Sequence, residues 1–158
     1  MVYKIVHYDR DVPVTLTPHQ DLADFGRDAL LQRGAEKLVV VDTLTNTIVA
    51  ALSYTVKIIK QSVQVDFLGT AIERVGLGTA LLRHLRYLMA EAGQSIIQLD
   101  SVTDAVPFYR RFGFTFKSAS GFDPSDPAQE MMYDLRRRGP SKSLLLEVMR
   151  VIRRVTIQ

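Results

Sequence analysis

Two glycines one residue apart, Gly76 and Gly78, lie where a strand-like segment passes into a helix-like one. Before them, Val63, Val65 and Phe67 alternate with polar residues, the period of a strand with one buried face. After them, apolar residues recur at helical spacing from Leu81 to Ala92. The first N–H groups of a helix have no internal acceptor, and its dipole favours negative charge there. The pattern predicts a turn that binds a pyrophosphate, with a plain strand-to-helix turn as the alternative.

A second motif follows in residues 105–114, which read as a short amphipathic helix that ends in Gly113-Phe114. Together the two segments resemble the GNAT superfamily of acyl-CoA-dependent N-acetyltransferases. The phosphate loop of that family reads Gln/Arg-x-x-Gly-x-Gly/Ala, and its later helix reads Ala-x-x-Phe-Tyr-x-x-x-Gly-Phe. The resemblance covers about a third of the chain closely, at a separation that makes the pair of motifs fairly specific.

The resemblance implies that acetyl-CoA is the co-substrate and that no metal is needed. It also implies that Tyr109 is the general acid beside the sulfur, because a phenol of pKa about 10 stays protonated at neutral pH. Pairing with the strand edge would position the thioester, and an N–H near Leu68 would bond its carbonyl. The residues expected to contact acetyl-CoA are Phe67, Leu68, Arg74, Val75, Gly76, Leu77, Gly78, Thr79, Val102, Phe108 and Arg111.

Three positions depart from the family pattern. Glu73 stands where the loop usually has Gln or Arg, so either the loop shifts and Arg74 serves, or Glu73 points away and the backbone binds alone. Val102 replaces a frequent Asn, and Gln64 replaces a glutamate that acts as base in many relatives. Asp66 faces the same side as Gln64 if no bulge intervenes, so it is the candidate base or a carboxylate that recognises a cationic acceptor.

Composition excludes several other kinds of site. The 158-residue chain has no cysteine, which rules out disulfides, thiolate catalysis and cysteine-bound zinc. Its three histidines are scattered, no G-x-S-x-G is present, and the formal net charge is +3. With no long apolar run and no signal peptide, the sequence predicts a cytoplasmic protein. The charge favours an anionic cofactor or nucleic acid without requiring either.

The rest of the chain supplies the elements that must position these motifs. The sequence predicts an α+β fold, in which strands over 3–8, 37–42, 48–59 and 63–68 precede the first motif, and strands over 95–100, 115–117 and 130–135 follow it. Thr17 as N-cap and Pro18 as the first helical residue predict a helix that runs to about Gln32. The strand after the long helix should pair parallel to its predecessor. The family resemblance adds a mostly antiparallel sheet with helices on both faces, in which this parallel pair splays apart and admits the acyl chain.

We expect two units, a GNAT-like domain over 1–138 and an amphipathic helix over 139–158. The helix would pack on the domain or on a second subunit in a homodimer, or its basic face would bind RNA or an anionic membrane. Two classes of function stay open. The first is an acetyltransferase that acts on a small amine, a protein amino group or an aminoacyl-tRNA, and the second is a non-catalytic acyl-CoA-binding or interaction module of the same fold.

Overall fold

The computed structural model describes residues 2–8, 16–72, 75–118 and 121–138. Their strands are β1 (Tyr3–His7), β2 (Thr17–Pro18), β3 (Glu36–Asp42), β4 (Thr47–Lys57), β5 (Ser62–Thr70), β6 (Ile96–Val102), β7 (Thr115–Phe116) and β8 (Ala128–Asp134). Their α-helices are α1 (Asp24–Leu31), α2 (Leu77–Glu91) and α3 (Val106–Phe112). The predicted helix over 139–158 and the loop residues Glu73 and Arg74 lie outside the described residues.

The strands form one sheet in the order β1-β3-β4-β5-β6-β8-β7, and β2 pairs with β4 beside this path. The strands β3, β4 and β5 pair antiparallel as a meander. The helix α2 connects β5 to β6, and these two strands pair parallel. All the other pairs on the main path are antiparallel. The predicted α+β fold with a central parallel pair is therefore confirmed.

The parallel pair is short. Its register runs only from Ser62 opposite Ile96 to Val65 opposite Leu99, although β5 continues to Thr70. Beyond Val65, β5 stays paired with β4 on its other side, and its edge towards β6 has no strand partner among the described residues. The two strands thus separate into a V, and the glycine turn follows the end of β5.

Two apolar cores lie on opposite faces of this sheet. On one face, Leu38 and Val40 of β3 pack with the leucines of α2. On the other face, Val39 and Val41 of the same strand pack with Leu22 and with α1. Because neighbouring residues of a strand point to opposite faces, β3 contributes to both cores and is buried from Lys37 to Asp42.

A β-bulge in β5 corrects one of the sequence predictions. Tyr54 of β4 pairs with Val65, but the next residue, Ser53, pairs with Phe67, so Asp66 has no partner in the ladder. The extra residue reverses the alternation. Val65 therefore packs in the α2 core while Phe67 packs against the α1 core, and the prediction that both share one face is wrong.

The predicted helix start at Thr17 and Pro18 is also wrong. These residues form β2, in which the N–H of Thr17 donates to Asn46 O (3.3 Å) and that of His19 donates to Ile48 O (2.9 Å). Pro18 falls between the two donors, at a position where its missing N–H is not needed, so a strand edge accepts it. The helix α1 begins only at Asp24, and it ends at Leu31, close to the predicted end.

Candidate active site

The predicted glycine turn is the start of α2. Gly76 is the N-cap residue and has a left-handed backbone, with φ of 83°. The first helical hydrogen bond runs from the N–H of Ala80 to Gly76 O at 2.9 Å. The N–H groups of Leu77, Gly78 and Thr79 therefore have no acceptor inside the helix, and no side chain in the described part of the chain caps them. Such a helix end attracts an anion.

A cavity of about 720 Å³ opens between this helix end, the free edge of β5 and α3. Its described walls are Leu68, Gly69, Thr70, Ile72, Gly76, Leu77, Gly78, Thr79, Asp104, Ala105, Phe108, Tyr109 and Arg111. A Cβ on Gly78 would lie 3.4 Å from the Phe108 ring, and one on Gly76 would meet no atom within 4 Å. The glycines thus leave the helix end uncovered, and Arg111 adds a cation. This donor set and volume fit the pyrophosphate of an acyl-CoA.

A second cavity, of about 240 Å³, is lined by residues of β5 and β6. It is lined by Phe25, Val65, Asp66, Phe67, Leu68, Leu99, Asp100, Ser101, Val102, Ala105 and Tyr109. Leu68, Ala105 and Tyr109 belong to both cavities. The two cavities are therefore neighbours that share these three residues as lining.

Tyr109 is held at this junction by aromatic contacts. Its ring packs edge-on against Phe108 (centroids 5.0 Å apart) and against Phe114 (5.6 Å). Only 9% of the residue is exposed, and burial raises the pKa of Tyr109 to about 12. The phenol therefore stays protonated throughout the neutral range, where it can donate a hydrogen bond or a proton but cannot act as a base.

Asp66, the bulge residue, is held by two donors on one carboxylate oxygen. Oδ2 accepts hydrogen bonds from Gln32 Nε2 (3.0 Å) and from Thr55 Oγ1 (2.8 Å). Gln32 in turn accepts a 2.6 Å hydrogen bond from the hydroxyl of the fully buried Ser53. The Asp66 carboxylate thus belongs to a chain of hydrogen-bonded side chains that come from the C-cap of α1, from β4 and from β5.

The helix α1 is seated on β5 by a backbone contact between two glycines. A Cβ on Gly69 would lie 2.2 Å from the backbone nitrogen of Gly26, and a Cβ on Gly26 would lie 3.1 Å from Gly69 O. Only glycine permits this approach. It places the ring of Phe25 over that of Phe67, with centroids 6.3 Å apart, at the wall of the smaller cavity.

The structure brings most of the predicted site residues to the two cavities. Leu68, Gly76, Leu77, Gly78, Thr79, Phe108, Tyr109 and Arg111 line the larger one. Asp66, Phe67 and Val102 line the smaller one. Val75 is exposed and lines neither cavity, and Arg74 lies outside the described residues.

Several site residues escape sequence reasoning. Gly69, Asp104 and Ala105 adjoin the two motifs, so their proximity in the chain is a signal that could have found them. Phe25 belongs to α1 and Gln32 directly follows it, and no local pattern links that helix to β5. Among the residues described by the structure, no group of three or more potential ligands could hold a metal ion, and no helix could span a membrane.

Comparison with known proteins agrees with this geometry. A family model described as "Acetyltransferase (GNAT) domain" matches residues 29–135, while no curated protein matches the chain. Tetrahymena GCN5 has a similar structure, with a TM-score of 0.57 and 18% identity over 69% of this chain and 73% of that one.

Two further solved structures share the fold. The PaiA N-acetyltransferase from Thermoplasma acidophilum, in complex with coenzyme A, gives a TM-score of 0.52 at 14% identity over 62% of this chain and 59% of that one. The spermidine/spermine N-acetyltransferase SpeG from Vibrio cholerae, in complex with manganese ions, gives a TM-score of 0.53 at 14% identity over 70% of this chain and 71% of that one. At such low sequence identities, these structures show a similar fold and nothing about function.

Proposed function

The chain belongs to the GNAT acetyltransferase family, and from this we propose that it moves an acetyl group from acetyl-CoA directly to a primary amine. Family membership supports acyl-CoA-dependent acyl transfer, and the proposal adds the acetyl group and the amine. The observation that carries it is that two neighbouring cavities share Tyr109 as a lining residue. A donor in the larger cavity and an acceptor in the smaller one can react there without a covalent enzyme intermediate.

We assign acetyl-CoA to the larger cavity. The free N–H groups of Leu77, Gly78 and Thr79 would bind the pyrophosphate, aided by the positive end of the helix dipole. The unpaired edge of β5 at Phe67 and Leu68 would pair with the amides of the cofactor arm, as an added strand does. An N–H near Leu68 would then be able to polarise the thioester carbonyl.

We assign Tyr109 as the donor to the departing sulfur. In the reaction the amine nitrogen bonds the acetyl carbon, the carbon–sulfur bond breaks, and the thiolate takes a proton. With a phenol pKa of about 12 and a free thiol near 8.5, complete transfer would be uphill by roughly 5 kcal/mol. Burial also raises the pKa of a thiol in the same cavity, which narrows the gap. Tyr109 therefore acts first through a hydrogen bond that strengthens as charge grows on sulfur.

We assign Asp66 to the acceptor amine. Asp66 and Asp100 are the carboxylates that line the smaller cavity, and Asp66 belongs to the strand that borders both cavities. An amine must lose a proton on its way to the amide, and a carboxylate within reach can take it directly or through one water. Phe25 and Phe67 give the same cavity an aromatic wall, which suits an ammonium group.

Calorimetry with acetyl-CoA, followed by thiol release against a panel of amines, tests the proposal. The panel should contain small polyamines, lysine peptides, peptides with a free N-terminus and an aminoacyl-tRNA. Binding together with thiol release by one acceptor class supports the enzyme. Binding without release by any acceptor would favour the non-catalytic module, and absence of binding would reject both.

A pair of variants shows whether binding uses the predicted turn. Gly78→Asp places a negative side chain at the helix end and should abolish acetyl-CoA binding in a folded protein. Gly34→Asp adds the same charge at an open turn that lines neither cavity, so its affinity should match the wild type. The cytoplasmic location, the homodimer and the role of residues 139–158 stay predictions, which fractionation, light scattering and truncation would test.

A further inference from the structure

Two hydrogen bonds restrain the carboxylate of Asp66, although this residue is only half-buried. Both of its donors, Gln32 Nε2 and Thr55 Oγ1, bond to the same oxygen, Oδ2. Across the described residues no protein group bonds to Oδ1. Because the side chain lines the smaller cavity, Oδ1 is the oxygen that remains for a ligand.

Gln32 has its orientation fixed from both ends. A carboxylate oxygen can only accept, so the amide group that faces Asp66 must be the NH₂ of Gln32. The amide oxygen then accepts from the hydroxyl of Ser53, which is 0% exposed. Gln32 directly follows α1, the helix seated on β5 by Gly26 and Gly69. The position of α1 is thus coupled to the position of the carboxylate.

We propose that Gln32 is a positioning residue for acceptor recognition, which with Thr55 holds Oδ2 of Asp66 so that Oδ1 binds the acceptor as an ammonium ion. The inference rests on the proposed function for the identity of the acceptor, but it concerns Asp66 in the smaller cavity and the two side chains that bond to it, and not the larger cavity. A free carboxylate could rotate and share its charge between several partners. The restrained one presents a single oxygen, which favours a cation over a neutral molecule of equal size.

Binding of two small probes tests the idea without catalysis. NMR titration with n-butylammonium and with n-butanol compares a cation and a neutral molecule of similar size. The wild type should bind the cation at least about tenfold more tightly, the range of a hydrogen bond to a charged group. Gln32→Leu, which keeps much of the volume but removes the amide, should lose most of that preference.

Further variants separate positioning from a general structural role. Thr55→Val should weaken the preference and Thr55→Ser should keep it, since serine retains the hydroxyl. Gln64→Leu makes the same change as Gln32→Leu on β5, at a residue that lines neither cavity, and should have no effect. With an acceptor in hand, Gln32→Leu should raise the KM for the amine several-fold while acetyl-CoA affinity stays constant.

The contrary results are distinct. If Gln32→Leu folds and keeps the full preference while Asp66→Asn loses it, Gln32 has no positioning role. If Asp100→Asn loses the preference and Asp66→Asn keeps it, the carboxylate is wrongly assigned. Should Gln32→Leu not fold, the comparison of Thr55→Val with Thr55→Ser decides the same question. Failure to bind acetyl-CoA would reject the proposed function, yet the probe titrations would still decide this inference.

Discussion

The seat of α1 on β5 can be tested by adding a single methyl group to Gly69. That methyl would lie 2.2 Å from the nitrogen of Gly26, 2.9 Å from its Cα and 3.1 Å from the carbonyl carbon of Phe25. All three are backbone atoms, so no side chain can turn aside. To reach ordinary contact at 3.4 Å, α1 must withdraw by about 1 Å. Overpacking of this kind costs about 1–3 kcal/mol of unfolding free energy.

The larger effect should be on the acceptor side. Withdrawal of α1 moves Phe25 away from Phe67 and stretches the hydrogen bond from Gln32 to Asp66. A misplacement of about 1 Å can cost on the order of a hundredfold in rate. We expect Gly69→Ala to reduce kcat/KM for the amine by about that factor. Acetyl-CoA affinity should change little, because the new methyl points at α1 and not into the larger cavity.

Urea unfolding, steady-state acetyl transfer and calorimetry with acetyl-CoA measure the three quantities. Gly93→Ala is the matched control, since a methyl there meets no atom within 4 Å and only its left-handed φ of 77° is unfavourable. It should cost about 1–2 kcal/mol of stability and leave transfer unchanged. Wild-type stability and wild-type amine kinetics for Gly69→Ala would refute the backbone contact.

Three further predictions concern protons. Tyr109→Phe should lower single-turnover transfer by about a hundredfold with acetyl-CoA affinity unchanged, and a fall below about threefold would speak against its role as donor. Burial raises the pKa of Tyr109 to about 12, so the tyrosine ionises at lower pH in the unfolded chain than in the folded one. The free energy of unfolding should therefore be constant below about pH 10 and fall as pH rises towards 12. In urea titrations, Tyr109→Phe should flatten that fall. Burial, and secondarily the charge of His7, lowers the pKa of His84. The free energy of unfolding should therefore be constant above pH ~6.5 and fall below it. Between about pH 7.5 and 5.5, His84→Gln should lose less unfolding free energy than the wild type.

Local patterns were sufficient to predict the parts of the site that are local in the chain. The start of α2 at Gly76, the short helix that carries Tyr109 and the meander of β3, β4 and β5 all follow from residues a few positions apart. The period of a strand or helix and the chemistry of glycine determine such elements without help from distant residues.

Features that depend on contacts between distant segments were not predictable in the same way. At the bulge the register between β4 and β5 shifts by one residue, at Asp66, and the sequence of either strand alone does not indicate this shift. Pro18 starts helices and also tolerates strand edges, so the contact with Ile48 decided between them. Gln32 reaches Asp66 across 34 positions of sequence, and only the seating of α1 brings them together.

The short parallel pairing of β5 with β6 has a consequence for cooperativity. Among the described strands, four register pairs, from Ser62 and Ile96 to Val65 and Leu99, join the group β1-β3-β4-β5 to the group β6-β8-β7. We expect the two groups to exchange amide hydrogens as separate units, with the fastest exchange along the open edge of β5. A ligand bound between the two groups of strands would pair with the open edge of β5 and slow amide exchange in both groups. At a hundredfold excess over its Kd, it would add about 2.7 kcal/mol to the stability of the whole domain.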